Sequence, residues 1–230
     1  MQEKCIYIES LGDEYLKHFI GHGCCADCFM INDSEVFKIM RFPSNYDSVY
    51  KNSKYISDTF VFPKKLVFSK KDNSYLGYIM DYVNGVTIRN LEGNTNIYDY
   101  IRAIKKVEED IAKMSNYKVD LVDISPNNVM YTKDSSIKII DTDFYNHDVN
   151  SNKLYSHNMH RFNKSVTEPI FDIYEYRFMN DKIKQETRKL IETKILVSDY
   201  INMLCEELDK KDVEVNNIDS CKKGLRLLRR

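Results

Sequence analysis

Glycine and proline are scarce, seven and four in 230 residues, and no repeat or low-complexity tract appears. No run approaches the roughly 20 apolar residues that a membrane helix needs, so no membrane span is expected. The opening ten residues, with Glu3 and Glu9 around a very short apolar stretch, do not read as a secretory signal. An excess of charge of one sign is also lacking. The formal charge of −1 gives no global attraction to nucleic acid or to a membrane surface, and no nucleic-acid partner is expected. The six cysteines are irregularly spaced and do not form a disulfide framework, which implies a reduced, cytoplasmic protein. Cys24, Cys25 and Cys28 include a Cys-x-x-Cys, but no second pair at suitable spacing completes the four ligands of a structural zinc site. Loop thiols are the simpler account.

What is present is ordinary for a globular chain: 43% apolar and 30% charged residues, and enough length for one large domain or two small lobes. Leu16–Ile20, Cys28–Ile31 and Val36–Met40 read as a three-strand meander, with turns at Gly21-His22-Gly23 and Asn32-Asp33-Ser34. Tyr46, Val49, Tyr50, Ser53 and Ile56 predict a modest helix over 44–58, and Leu66–Phe68 with Tyr75–Tyr82 predict a hairpin. After Asn84-Gly85 the pattern changes. Apolar residues three or four apart predict an amphipathic helix over 96–117, followed by strands at 128–131 and 137–140. Residues 146–164, rich in Asn and His, read as an irregular loop whose His147, His157 and His160 are solvated. A long amphipathic helix is expected over about 182–208. The expected class is α+β, with a β-rich part at 1–83 and a mainly helical part at 84–230. The basic run Lys222, Lys223, Arg226, Arg229 and Arg230 reads either as a solvated helix end or as an anchor for an acidic partner.

Three stretches carry chemistry. Gly21-His22-Gly23-Cys24-Cys25-Ala26 fits either a dinucleotide-binding turn or a hairpin tip. A dinucleotide site needs a helix opening at the glycines. The strand that follows here favours a tip able to lay backbone N–H groups over phosphates. Lys38 lies inside the apolar strand Val36–Met40, where an inward ammonium is costly unless it meets an anion; a strand-edge lysine reaching solvent is the alternative. Asp123, Asn128 and Asp141 are five and thirteen residues apart around a predicted hairpin. Phosphoryl transfer needs one carboxylate to take or orient a hydroxyl proton, and an amide oxygen with a second carboxylate to hold Mg2+. Turn-capping carboxylates are the plainer account of the same residues.

In their order along the chain these residues resemble the protein-kinase superfamily, in the manner of its compact bacterial or atypical members. Gly21, Gly23 and Ala26 look like the glycine-rich loop, Lys38 like the lysine of V-A-I-K, Asp123 and Asn128 like the catalytic-loop pair, and Asp141 like the aspartate of D-F-G. Met80, Asp81 and Val83 resemble the gatekeeper and hinge that receive adenine. The resemblance covers about residues 12–145. It implies a two-lobe fold with a reduced helical C-lobe, ATP and Mg2+ as cofactors, and transfer of the γ-phosphate to a hydroxyl acceptor, either a protein Ser/Thr or a small molecule. The alternative is an inactive pseudokinase acting as a nucleotide-binding or scaffolding module. Departures are plain as well. Leu121-Val122 replace His-Arg, Ser125 replaces the lysine typical of Ser/Thr kinases, and Thr142-Asp143 replace Phe-Gly. No glutamate lies between Lys38 and Pro63, so the lysine's partner is expected to be Asp47, then Asp58, unless Asp143 remakes the pair.

Overall fold

Alternation of apolar and polar residues in the first third of the chain is the pattern of strands with two differently covered faces, and a six-stranded sheet forms there. The computed structural model describes residues 4–16, 18–23, 25–42 and 46–229, with the backbone alone at residues 13 and 14. Elements in chain order are β1 (Cys5–Ile8), α1 (Asp13–Leu16), β2 (His18–His22), β3 (Ala26–Asn32), β4 (Glu35–Met40), α2 (Asp47–Asn52), β5 (Lys65–Ser69) and β6 (Tyr75–Asp81). There follow β7 (Gly85–Thr87), α3 (Ile97–Asn116), β8 (Val129–Thr132), β9 (Ile137–Ile139), α4 (Leu154–Thr167), α5 (Asp181–Ile191), α6 (Val197–Asp209) and α7 (Ile218–Gly224). The class is α+β. No described helix is long and apolar enough to cross a membrane.

The chain divides into two compact units. One comprises residues 1–84 with 140–147, the other 85–139 with 148–230. Residues 140–147, which the sequence reading puts with the helical part, therefore pack in the first unit.

In the first unit the strand order is β1-β5-β6-β4-β3-β2. All pairs are antiparallel except β1 with β5. Period-two alternation sorts the side chains into two clusters. Val36, Met40, Leu66, Phe68, Tyr78 and Met80 lie on one face, and Phe37, Val67, Ile79 and Ile8 on the other. Lys38, between Val36 and Met40, is forced by this alternation onto the first face, and in register it faces Cys28 on β3 and Tyr78 on β6.

Two sequence expectations change here, and one strand is new. The strand expected at 16–20 becomes His18–His22, because pairing of Phe19 with Phe29 sets its register; Lys17 and Cys24 lie outside the described residues. The helix expected over 44–58 shrinks to Asp47–Asn52, and Ile56, counted on its apolar stripe, is 99% exposed; residues 44 and 45 also lie outside the described set. β1 was not anticipated. It is four residues long and gains its stability by pairing with β5.

In the second unit β7, β8 and β9 make a small sheet, and α3 presents Ile97, Tyr100, Ile101, Ile104, Val107, Ile111 and Met114 to the core. Asn96 caps α3, its side chain accepting from the N–H groups of Tyr98 and Asp99. The expected loop at 146–164 is corrected: α4 occupies Leu154–Thr167 and places His157 and His160 on a helix. Its buried face alternates polar Asn158 and Asn163 with Phe162 and Val166, so hydropathy alone hides the helical period. The expected helix over 182–208 is two. α5 ends where Thr193 takes a left-handed φ of 55° and the Lys194 N–H reaches back to Lys189 O at 2.8 Å, which closes off the first helix. α6 then opens under the buried Glu108 of α3, whose carboxylate accepts from Ser198 N–H at 3.1 Å and Ser198 Oγ at 2.6 Å. Burial raises the Glu108 pKa against the lowering effect of these bonds.

Gly77 decides how close β6 comes to Lys38. Its φ is 152°, and a Cβ there would lie 2.1 Å from Lys38 O. Gly77→Ala should therefore cost about 2 kcal/mol or more by forcing β4 and β6 apart. Urea denaturation of the variant beside wild type checks this.

Candidate active site

β4 delivers Lys38 into the first unit's core at 6% exposure. An ammonium there must be compensated. Its Nζ bonds the Asp143 carboxylate at 3.0 and 3.3 Å and also pairs with Asp141. The Tyr78 ring lies 5.6 Å from the ammonium. Burial pushes the Lys38 pKa down, but Asp143 and Asp141 outweigh it and hold the pKa above the ordinary lysine value. Asp47 and Asp58, the helix-side partners expected from sequence, do not pair with Lys38. Asp143 takes that place.

The two aspartates differ in kind. The Asp143 side chain is fully buried, whereas that of Asp141 keeps 38% exposure. Asp143 is a structural counter-ion, and Asp141 is open to a further ligand. The segment carrying them is fixed from behind. Ser48 Oγ on α2 donates to Asp143 O at 2.8 Å and Tyr145 O at 3.0 Å, Asn52 Nδ2 donates to Asp143 O at 3.3 Å, and Thr142 Oγ1 donates to Val61 O at 2.9 Å. His147, expected to be solvated, stacks on Tyr55 and bonds Asn52 Oδ1 at 3.0 Å. Burial, moderated by Lys38, pushes the Cys28 thiol up to about 11. A thiol that stays protonated at neutral pH is a poor metal ligand or redox nucleophile.

The other predicted residues of the first unit fall as follows. Gly21 lies within β2 and Ala26 opens β3, with Gly23 N–H bonding Ala26 O at 2.9 Å, so the described residues of the loop form a hairpin tip and no helix opens among them. A Cβ at Gly21 would meet nothing within 4 Å. Met80 is buried at the end of β6, Asp81 is exposed and paired with Lys64, and Val83 packs against the first-face cluster.

Asp123 and Asn128 belong to the second unit, on the loop before β8. Asn128 Nδ2 donates to Asp123 Oδ2 and to Asp123 O, each at 3.0 Å. With both amide hydrogens so used, Asn128 Oδ1 remains as an acceptor. α4 holds this loop from below. Asn158 Oδ1 accepts from Leu121 N–H at 2.9 Å, Arg161 pairs with Asp120, and Ser165 Oγ donates to Ile124 O at 3.3 Å.

Asp123 and Asp141 share one further feature, a left-handed φ of 64°. Most other non-glycine residues in that region sit at helix ends (Lys118, Thr193, Asp212) or hairpin turns (Asn73, Ser135), where it is routine. Asp123 takes it in a turn of the loop before β8 and Asp141 at the start of the 3-10 turn Thr142–Phe144, and local strain of this kind gathers at functional loops.

The chain matches no protein-family model and no curated protein.

Ser48, Asn52, Asn158 and Arg161 were not singled out from sequence. The available signal was spacing: Ser48 and Asn52 are four apart on α2, and Asn158, Arg161 and Ser165 recur at three and four on α4. Asp143→Asn should destabilise the protein by about 3 kcal/mol at neutral pH, since it strips a buried ammonium of its buried partner. The wild-type stabilisation is complete below the ordinary lysine pKa and is lost as pH rises through the raised folded value. In the variant the lysine becomes easier to neutralise, so the gap narrows above about pH 10. Chemical denaturation from pH 7 to 11 measures it.

Proposed function

We propose that the chain is an ATP- and magnesium-dependent phosphotransferase of the protein-kinase type, with a β-rich N-terminal lobe and a reduced helical C-terminal lobe. The observation that carries this reading is the buried strand lysine, Lys38, held by one buried and one half-exposed aspartate. A core would not keep an ammonium for packing, and a lysine so placed suits an α- or β-phosphate. In this reading the hairpin tip that carries Gly21, Gly23 and Ala26 covers the phosphates. Met80, Asp81 and Val83 receive adenine.

The resemblance assigns Mg2+ to Asp141 of the first unit and Asn128 of the second, whose carboxylate and Oδ1 are hard oxygen donors of the kind the ion takes. A magnesium ion held by these residues would supply neutralisation of the charge on the transferring phosphates. Lys38 then exchanges its contact with Asp141 for a phosphate oxygen and keeps Asp143. Asp123 accepts the proton of the acceptor hydroxyl as that oxygen bonds to the γ-phosphorus and the bond to the ADP oxygen breaks. Asn128, by donating to Asp123, keeps the carboxylate oriented. The acceptor is a protein Ser/Thr or a small hydroxylated molecule.

A second reading, a nucleotide-binding module without chemistry, is favoured by one observation: Lys38 already has its charge met within the unit, with no glutamate on α2. Labelled γ-phosphate with Mg2+ separates the two. Wild type should transfer label to itself or to an added acceptor, and Asp141→Ala and Asp123→Ala should each lower the rate by about 100-fold or more. ATP that raises the melting temperature without transfer would establish the second reading, and absence of ATP binding would sink both.

A further inference from the structure

Two stretches of the second unit, 170–179 and 219–229, run side by side. They are joined at one end, where Met179 bridges to Arg229 and Asn180 N–H donates to Leu228 O at 2.8 Å. A cavity of about 450 Å³ lies between them. Buried Ile170, Met179 and Leu225 give it an apolar floor. Its volume is within the ordinary range of ligand sites, about 300–1,000 Å³.

The rim is cationic on one side. Lys222 on α7 and Arg226 on the 3-10 turn that continues it, Leu225–Leu228, line the cavity, and Arg229, extended just past that turn, lines it too. The basic run thus lines a cavity, beyond the plain helix end that sequence suggests. Lys223 pairs with Asp219 at 3.7 Å and Arg229 with Glu175 at 3.6 Å, both long contacts. Among the described residues, Lys222 and Arg226 have no carboxylate within 4 Å. Two uncompensated cations over an apolar floor call for an anion with an apolar part.

Spacing narrows the choice. From Lys222 to Arg226 the backbone rises two α steps and two 3-10 steps, about 7 Å. Alternate residues of an extended peptide are about 6.6–6.8 Å apart and point the same way, with the residue between them turned to the opposite side. A compact anion would use one such cation well. A polyphosphate backbone would meet Asp172 and Glu175 on the facing wall, whereas a peptide's neutral amides tolerate them.

We propose that this groove docks an extended acidic peptide segment of a partner protein, with carboxylates at alternate positions on Lys222 and Arg226 and a neighbouring apolar side chain in the cavity. Every residue involved belongs to the second unit, so the inference stands apart from the nucleotide reading.

The test uses the full chain and fluorescein-labelled peptides of pattern Glu-x-Glu-x-Glu, with x drawn from Leu, Ile, Phe and Tyr, followed by anisotropy. Saturable binding is expected, weakened at least tenfold when the glutamates become glutamines and at least tenfold in the double variant Lys222→Glu, Arg226→Glu at unchanged melting temperature. Both side chains are exposed. If the reversal fails to fold, Lys222→Ala with Arg226→Ala serves with the same expectation. No saturable binding, equal binding of the glutamine peptides, or equal binding by the folded variant overturns the proposal. Displacement by single-stranded DNA at lower concentration than by the unlabelled acidic peptides overturns it in favour of nucleic acid.

Discussion

An ammonium inside a β-sheet core can be tolerated only if carboxylates come to it, and Lys38 imposes that requirement on the first unit. Its position follows from strand alternation between Val36 and Met40, and its neighbours Cys28 and Tyr78 follow from register. The counter-charge comes from residues more than a hundred positions later in the chain. Residues 140–147 therefore pack with the sheet. α2, short and polar by sequence, has a clear task. Ser48 and Asn52 hold the Asp143 carbonyl so that its carboxylate meets Lys38. Burial, with the charge of Asp143 and Asp141 beside it, pushes the Tyr78 phenol well above its ordinary pKa, so it stays neutral next to the Lys38 ammonium.

Buried polar groups do similar work in the second unit. α4 spends Asn158 and Ser165 on backbone groups of the loop at 119–124, and Glu108 spends a buried carboxylate on the first turn of α6. Each satisfies groups that water cannot reach, and each fixes a chain segment in one conformation. The loop so held carries Asp123 in a left-handed conformation with Asn128 bonded to it. That rigidity lets a positive φ persist on a non-glycine residue.

Legibility in the sequence followed hydropathy. β3, β4, β5, β6 and α3 were readable because their apolar residues recur at two or at three-to-four, and Lys38, Asp123, Asn128 and Asp141 were readable as polar exceptions within or beside those runs. α4 was missed because its buried face is half polar, and its histidines and asparagines look like loop. The break between α5 and α6 was missed because no glycine or proline marks it; Thr193 takes the left-handed position itself. β1 was missed because four residues carry too little pattern, and a strand that short exists only by virtue of its partner.

By itself the sequence determined the α+β class, the turn to helices after residue 84, and the polar residues that interrupt apolar strands, because these depend on local periodicity and composition. Only the tertiary structure decided which carboxylates meet Lys38, that Asp143 is sealed while Asp141 stays open, and that Ser48, Asn52, Asn158 and Arg161 support the candidate residues. Pairing across a hundred residues is a matter of packing and desolvation, and neither leaves a mark in the spacing of neighbouring side chains.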